Sequence, residues 1–297
     1  WHTLCKLQSQ GMDFIWIDNI LDLFIVKKKN KRVMRISYFF SLLLLGCVLS
    51  VPMSAQKKYA KATFFAREYR SQGDTLRYRI LYPENYDKEE KTKYPLVIFL
   101  HGEGENGNDN QSQLKYGSSL FMNAEMRHWF PAIVIFPQCP ENDQWATYEM
   151  DSTGVVTVPA KSDETATSYI LTRMIEHYKK NKTVDKDRIY LIGISAGATG
   201  ALDLAVREPK TFAAVVSIGG AIDAPRMKAL KKMPLRMYHG TLDSIVPVSY
   251  ARDAYYELKA DGAEEAEIIE YSETGHECWR EAMSSSDFLK WLFSKER

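Results

Sequence analysis

Four stretches of this chain are apolar almost without interruption: Pro95–Leu100, Ala132–Phe136, Arg188–Ile194 and Ala213–Ile218. A strand that is apolar at every position has no face to offer water, so such runs belong in a parallel sheet covered on both sides. Leu235–His239 and Ala266–Tyr271 extend the series, and Leu76–Tyr82 adds a strand with alternating faces. Between these runs lie stretches with helical spacing. Glu164–Tyr178 places Ile170, Leu171, Met174, Ile175 and Tyr178 along one face, Ala196–Arg207 is rich in Ala and Leu, and Tyr250–Lys259 and Trp279–Phe293 follow. Strands alternating with helices predict an α/β domain with right-handed crossovers. No internal repeat and no Gly/Ser/Pro linker divides residues 62–297, so one domain is expected there.

The N-terminal part reads differently. Met34-Arg35 opens an uncharged apolar run, Ile36–Val51, which small and turn-forming residues follow at Pro52–Gln56. That order is the pattern of a secretory signal peptide, and the run is shorter than the roughly 20 residues of a spanning helix. Residues 34–56 are therefore read as a signal peptide and Met34 as the initiator. Residues 1–33 are read as an upstream, non-native extension, although Lys27–Arg32 also suits a long basic n-region. Residues 57–297 are left as the mature domain. The expected location is secreted or periplasmic. Leu44-Leu45-Gly46-Cys47 also resembles a lipoprotein box, in which a lipidated Cys47 would tie the chain to a membrane.

Charge excludes one function class. Lys and Arg total 39 against 38 Asp and Glu, and removing residues 1–56 takes the formal charge from +1 to −3. No basic field favours nucleic acid. Of the four cysteines, Cys139 and Cys278 fall in the domain; whether they pair depends on a distance that the sequence does not contain.

Gly193-Ile194-Ser195-Ala196-Gly197 joins the strand ending at Ile192 to the Ala-rich helix, the context of a nucleophile elbow. A sharp strand-to-helix turn holds the serine backbone in a strained conformation, and side chains at the flanking positions would strike neighbouring backbone. The alternative is an ordinary turn with a serine N-cap. A serine nucleophile needs a base. His2 lies in the upstream segment, His128 and His177 on predicted helices, and His101 and His239 each end a strand before a glycine. That leaves His276, between the last strand and the last helix. The orienting acid should follow the penultimate strand, where Asp243 stands. Asp223 is the competing choice, while Asp203 and Asp253 fall inside helices.

The loop Leu100–Gly107 follows the first apolar strand and is rich in glycine. Backbone N–H groups of Glu103 and Ala196 are the natural oxyanion donors. This loop lacks the Lys-Ser/Thr of a phosphate-binding loop, and Asn106–Asn110 lacks the acidic spacing of a calcium loop. With no His-Glu-x-x-His or Cys/His cluster, no metal is expected. Gly102 and Trp145 are expected at the substrate pocket with Tyr148, the alternative for the aromatic residues being a hydrophobic loop anchor.

Leu-His-Gly-x-Gly-Glu, Pro137–Pro140 with Trp145, His-Gly-x-x-Asp-x-x-Val-Pro and Gly-His-x-x-Trp together resemble the α/β-hydrolase superfamily over about residues 75–297. Within it they resemble secreted carboxylesterases and feruloyl-esterase-like or predicted-peptidase-like proteins. The resemblance implies the α/β-hydrolase fold, a central, mostly parallel twisted sheet with helices on both faces. It also implies a Ser195–Asp243–His276 triad with an oxyanion hole at Glu103 and Ala196. The activity implied is hydrolysis of carboxylic esters on small molecules or acylated carbohydrates, including hydroxycinnamoyl esters, with no cofactor. Two alternatives stay open: a serine peptidase of the prolyl-oligopeptidase type, and a carbohydrate-binding or scaffold protein that has lost activity.

Overall fold

The computed structural model describes residues 62–89, 91–161 and 163–297; the leader, Cys47 and the segment before them lie outside the described residues. A hairpin opens the fold: β1 (Phe65–Ser71) and β2 (Asp74–Leu81) pair antiparallel across Gln72-Gly73. Both turn residues have positive φ, 54° and 95°, as a type I′ hairpin turn requires. β3 (Tyr94–Leu100) follows, then the short helices α1 (Ser118–Met122) and α2 (Ala124–Trp129), and β4 (Ile133–Pro137). A two-stranded hairpin, β5 (Glu149–Met150) and β6 (Val156–Thr157), stands apart from the main sheet. α3 (Ala166–Lys179), β7 (Val184–Ile194), α4 (Ala196–Arg207), β8 (Ala214–Ile218) and β9 (Leu235–Gly240) come next. The chain continues through α5 (Ser249–Ala260), β10 (Ala266–Tyr271), α6 (Trp279–Ser284) and α7 (Phe288–Phe293).

The main sheet has the order β1-β2-β4-β3-β7-β8-β9-β10. β2 runs antiparallel to β4, and the strands from β4 to β10 are parallel. Side chains alternate between two cores. Leu96, Ile98 and Leu100 enter one, with α3, α4 and α5; Val97 and Phe99 enter the other, with α1, α6 and α7. Both faces of each central strand are therefore dry, which is why these strands read as continuous apolar runs. Cys139 belongs to the first core and Cys278 to the second, so the sheet separates them and both are free.

Two expectations change. The Trp279–Phe293 helix is broken, with Ser285 extended between α6 and α7 and its hydroxyl accepting the Asp287 N–H at 3.3 Å. Serine side chains that bond nearby backbone compete with the helix ladder, and Ser284-Ser285-Ser286 supplies three in a row. β1 was not foreseen because FAREYRS is polar and mostly exposed; pairing with β2, not burial, makes it a strand.

Candidate active site

β7 delivers Ser195 at its C-terminal end. The residue has φ 53° and ψ −123°, a strained left-handed-side conformation for a serine. Its N–H is held by the Ile218 carbonyl at 2.9 Å, which ties the turn to β8. The flanking glycines have separate reasons. A Cβ on Gly193 would strike the Gly197 carbonyl, and one on Gly197 would strike the carbonyls of Leu100 and His101.

His276 reaches this turn from the loop after β10. Ser195 Oγ lies 2.7 Å from His276 Nε2, and His276 Nδ1 lies 2.7 Å from Asp243 Oδ2. The two loops that carry His276 and Asp243 are joined by backbone bonds: the Thr241 N–H donates to Tyr271 O at 3.0 Å and the Leu242 N–H to Thr274 O at 2.9 Å. Gly240 permits this approach, because a Cβ there would collide with the Thr274 and Gly275 carbonyls. Trp279 packs edge-on against the His276 ring, with centroids 5.4 Å apart. Gly219, at φ 66°, puts its backbone beneath the pair, its Cβ direction 3.7 Å from His276 and 3.8 Å from Asp243.

The Asp243 side chain is wholly buried. Burial by itself would raise its pKa, but bonds from His239, His276 and the Val246 amide outweigh that and hold the carboxyl well below the usual range. Oδ1 accepts the N–H groups of Ile245 at 3.0 Å and Val246 at 2.8 Å. Asp243, not Asp223, therefore meets the imidazole. Asp223 precedes the 3₁₀ segment Ala224–Leu230, where its carbonyl accepts the Arg226 N–H. Asp203 is buried within α4 and paired with Arg207 at 2.6 Å and with Arg226.

Ala196 opens α4 and Glu103 opens the 3₁₀ turn Glu103–Glu105, positions whose N–H groups have no partner within their element. His101 orients the second of these. The ring is buried, its Nδ1–H donates to Gly102 O at 2.6 Å, and its Nε2 accepts the Cys139 N–H at 3.0 Å. A trans peptide points its C=O and N–H in opposite directions. Holding the Gly102 carbonyl towards His101 thus turns the Glu103 N–H away from it. Burial pushes the His101 pKa down to about 4, which keeps Nε2 an acceptor. Gly102 is buried against Ser195, with its Cβ direction 3.4 Å from Ser195 Cβ.

A cleft opens beside Ser195, lined by Glu103, Ala196 and Thr199 and walled by Tyr148, Met150, Val156, Ile245 and Val246. The β5–β6 hairpin supplies Met150 and Val156, and the Val156 N–H donates to Ile245 O at 2.8 Å, fastening the hairpin to the acid loop. Tyr148 meets the expectation of a pocket aromatic; burial and the neighbouring Glu103 carboxylate raise its pKa. Trp145 does not. It is 2% exposed, its Nε1–H donates to His101 O at 3.0 Å, and it packs edge-on against the His101 ring. A Cβ on Gly200 of α4 would strike its Cβ, so it anchors the loop in the core rather than lining the cleft. The sequence does not assign His101 or His239 to the site; their one shared signal is a strand end followed by glycine. Among the described residues no cluster of His, Cys, Asp or Glu could hold a metal ion, and no helix is long and apolar enough to cross a membrane.

The sequence profile of the phospholipase/carboxylesterase family matches residues 85–292. Among solved structures, a thermostable esterase superposes with a TM-score of 0.71 at 27% identity, over 79% of this chain and 63% of that one. The chain thus spans under two thirds of that esterase. A ferulic acid esterase from Anaeromyces mucronatus gives 0.52 at 17% identity, over 75% of this chain and 87% of that one. Dipeptidyl peptidase 4 of Porphyromonas gingivalis gives 0.60 at 14%, over 80% and 36%. At such identities the last two share the α/β-hydrolase fold with this chain.

Proposed function

From the premise that this chain belongs to the phospholipase/carboxylesterase family, we propose that it is a serine esterase acting through an acyl-enzyme. The observation that carries this reading is the unbroken chain Ser195–His276–Asp243, two contacts of 2.7 Å ending on a buried carboxylate. His276 Nε2 takes the Ser195 hydroxyl proton as Oγ attacks the ester carbonyl. The imidazolium is held by Asp243, and the Glu103 and Ala196 amides receive the oxyanion. Collapse breaks the acyl–oxygen bond and His276 gives its proton to the departing alcohol. Water, deprotonated by His276, then attacks the acyl-enzyme and releases the acid and Ser195.

The cleft supports a small acyl group. Its walls leave little enclosed room beside Ser195. Its apolar wall suits an acyl chain or ring, and the alcohol half, of a small molecule or a sugar, is left towards solvent. The leader at residues 34–56 would deliver such an enzyme outside the cytoplasm, as a secreted, periplasmic or Cys47-lipidated protein.

A fluorophosphonate probe tests the nucleophile: it should label the protein and fail on Ser195→Ala. Labelling that survives in Ser195→Ala overturns the assignment. A panel of p-nitrophenyl esters, acetylated and feruloylated sugars and peptide amides tests the substrate class. Turnover of amides in preference to esters would replace the esterase by a peptidase using the same triad.

A further inference from the structure

His239 ends β9 and is fully buried, yet nothing in the proposed reaction uses it. Its Nε2 lies 2.8 Å from the Val246 carbonyl and 3.3 Å from Asp243 Oδ2. Both neighbours are oxygens that can only accept, so Nε2 must carry the hydrogen. Nδ1 is buried without a hydrogen-bond partner. The ring's one N–H is thus bonded to the Val246 carbonyl and lies beside the same carboxylate oxygen that His276 Nδ1 meets at 2.7 Å. The other oxygen of Asp243 is already taken by two backbone amides.

We propose that His239 is a positioning residue of the catalytic acid: its Nε2–H, which donates to the Val246 carbonyl, is held 3.3 Å from Asp243 Oδ2 and adds a second polar hydrogen beside that oxygen. It thereby sets how strongly that oxygen holds the His276 imidazolium. This inference rests on the serine-esterase reading. A donor that shares the charge of Oδ2 lowers the basicity His276 feels. Without it, Oδ2 would stabilise the imidazolium more and His276 would release its proton at higher pH. The other ionisable groups around the pair hold one charge state near neutrality. Glu270 of β10, in register with His239, is ion-paired with Arg252 of α5 at 2.5 Å, and that pairing lowers its pKa. Burial pushes the Cys278 thiol, beside Asp243, up to about 12.

The test is the pH dependence of the labelling rate of Ser195 by an uncharged fluorophosphonate, which reads the basicity of His276 without a known substrate. His239→Leu removes the donor, and its acid limb should move up by about half a pH unit to one unit, the worth of one hydrogen bond. His239→Gln carries an amide N–H to the same place and should restore the wild-type limb. A purely structural role would lower the melting temperature or the plateau rate and leave the limb in place. Coincident limbs for wild type and His239→Leu overturn the inference while leaving the esterase reading intact; failure of the wild type to label at Ser195 overturns the esterase reading itself. Should His239→Leu not fold, nitrogen-15 NMR of the wild-type histidines decides: a proton on Nε2 of His239 is required, and a proton on Nδ1 alone overturns the proposal.

Discussion

His101-Gly102 at the end of β3 and His239-Gly240 at the end of β9 are the same dipeptide at the same edge of the sheet, and they serve different halves of the site. Both rings are buried, at 1% and 0% exposure. His101 spends its two nitrogens on backbone, the Gly102 carbonyl and the Cys139 amide, and so controls where a neutral N–H points. His239 gives its one bonded nitrogen to a carbonyl and holds it 3.3 Å from a carboxylate oxygen, and so lies against a charge. The glycines differ as well. Gly102 has room for a Cβ at the tight distance of 3.3 Å from the Glu105 carboxylate, whereas a Cβ on Gly240 would run into the backbone of the His276 loop. On the proposed serine-esterase reading, one corner sets geometry for the transition state and the other sets the electrostatics of the base. Loss of the first should change rate without moving the pH profile, and loss of the second should move the profile.

The largest effect is expected at the charge that His239 supports. Asp243→Asn should cost about 10⁴-fold in kcat, as the loss of the orienting acid does in serine hydrolases, while Asp223→Asn should leave activity near wild type. Equal losses in both, measured by ester hydrolysis, would break the assignment of the acid corner.

His101→Phe sharpens the contrast. Freed of its carbonyl anchor, the Glu103 amide should lose its aim, costing about 10²–10³ in kcat with KM within about twofold and the acid limb unmoved. A shifted limb would erase the distinction between the corners. The same variant should also alter stability at low pH. His101 ionises near 4 when folded against 6.5 when unfolded, so the unfolded chain binds the extra proton between those values. The wild type gains stability as pH rises through that window and loses it as pH falls from 6.5 to 4, by about 3 kcal/mol from this group. Urea melts of wild type and His101→Phe should therefore diverge in slope below pH 6.5 and run parallel above it.

Trp145→Phe should show the smallest change. It deletes the indole N–H bond to the His101 carbonyl and keeps an aromatic ring in the core. A stability loss of about 1 kcal/mol by denaturant melt is expected, with KM unchanged because Trp145 does not line the cleft. A raised KM would return Trp145 to the substrate pocket.

Much of this molecule was legible residue by residue. Uninterrupted apolar runs named the central strands because burial on both faces leaves no room for a polar position, and the order of parallel strands and helices followed. The elbow at Ser195 was legible for the same local reason: a sharp turn between strand and helix needs glycine on both sides, and those glycines stand there. β1 and the break at Ser285 were not legible, since pairing made the first and side-chain competition the second. Only the tertiary structure decided between Asp243 and Asp223, buried Trp145 away from the cleft, set Cys139 and Cys278 on opposite faces of the sheet, and brought His239 against the acid. Each of these depends on which way a side chain leaves its strand or loop and on what another segment places there. Sequence patterns encode the period of a strand and the shape of a turn; the meeting of two loops after β9 and β10 is a property of the packed sheet.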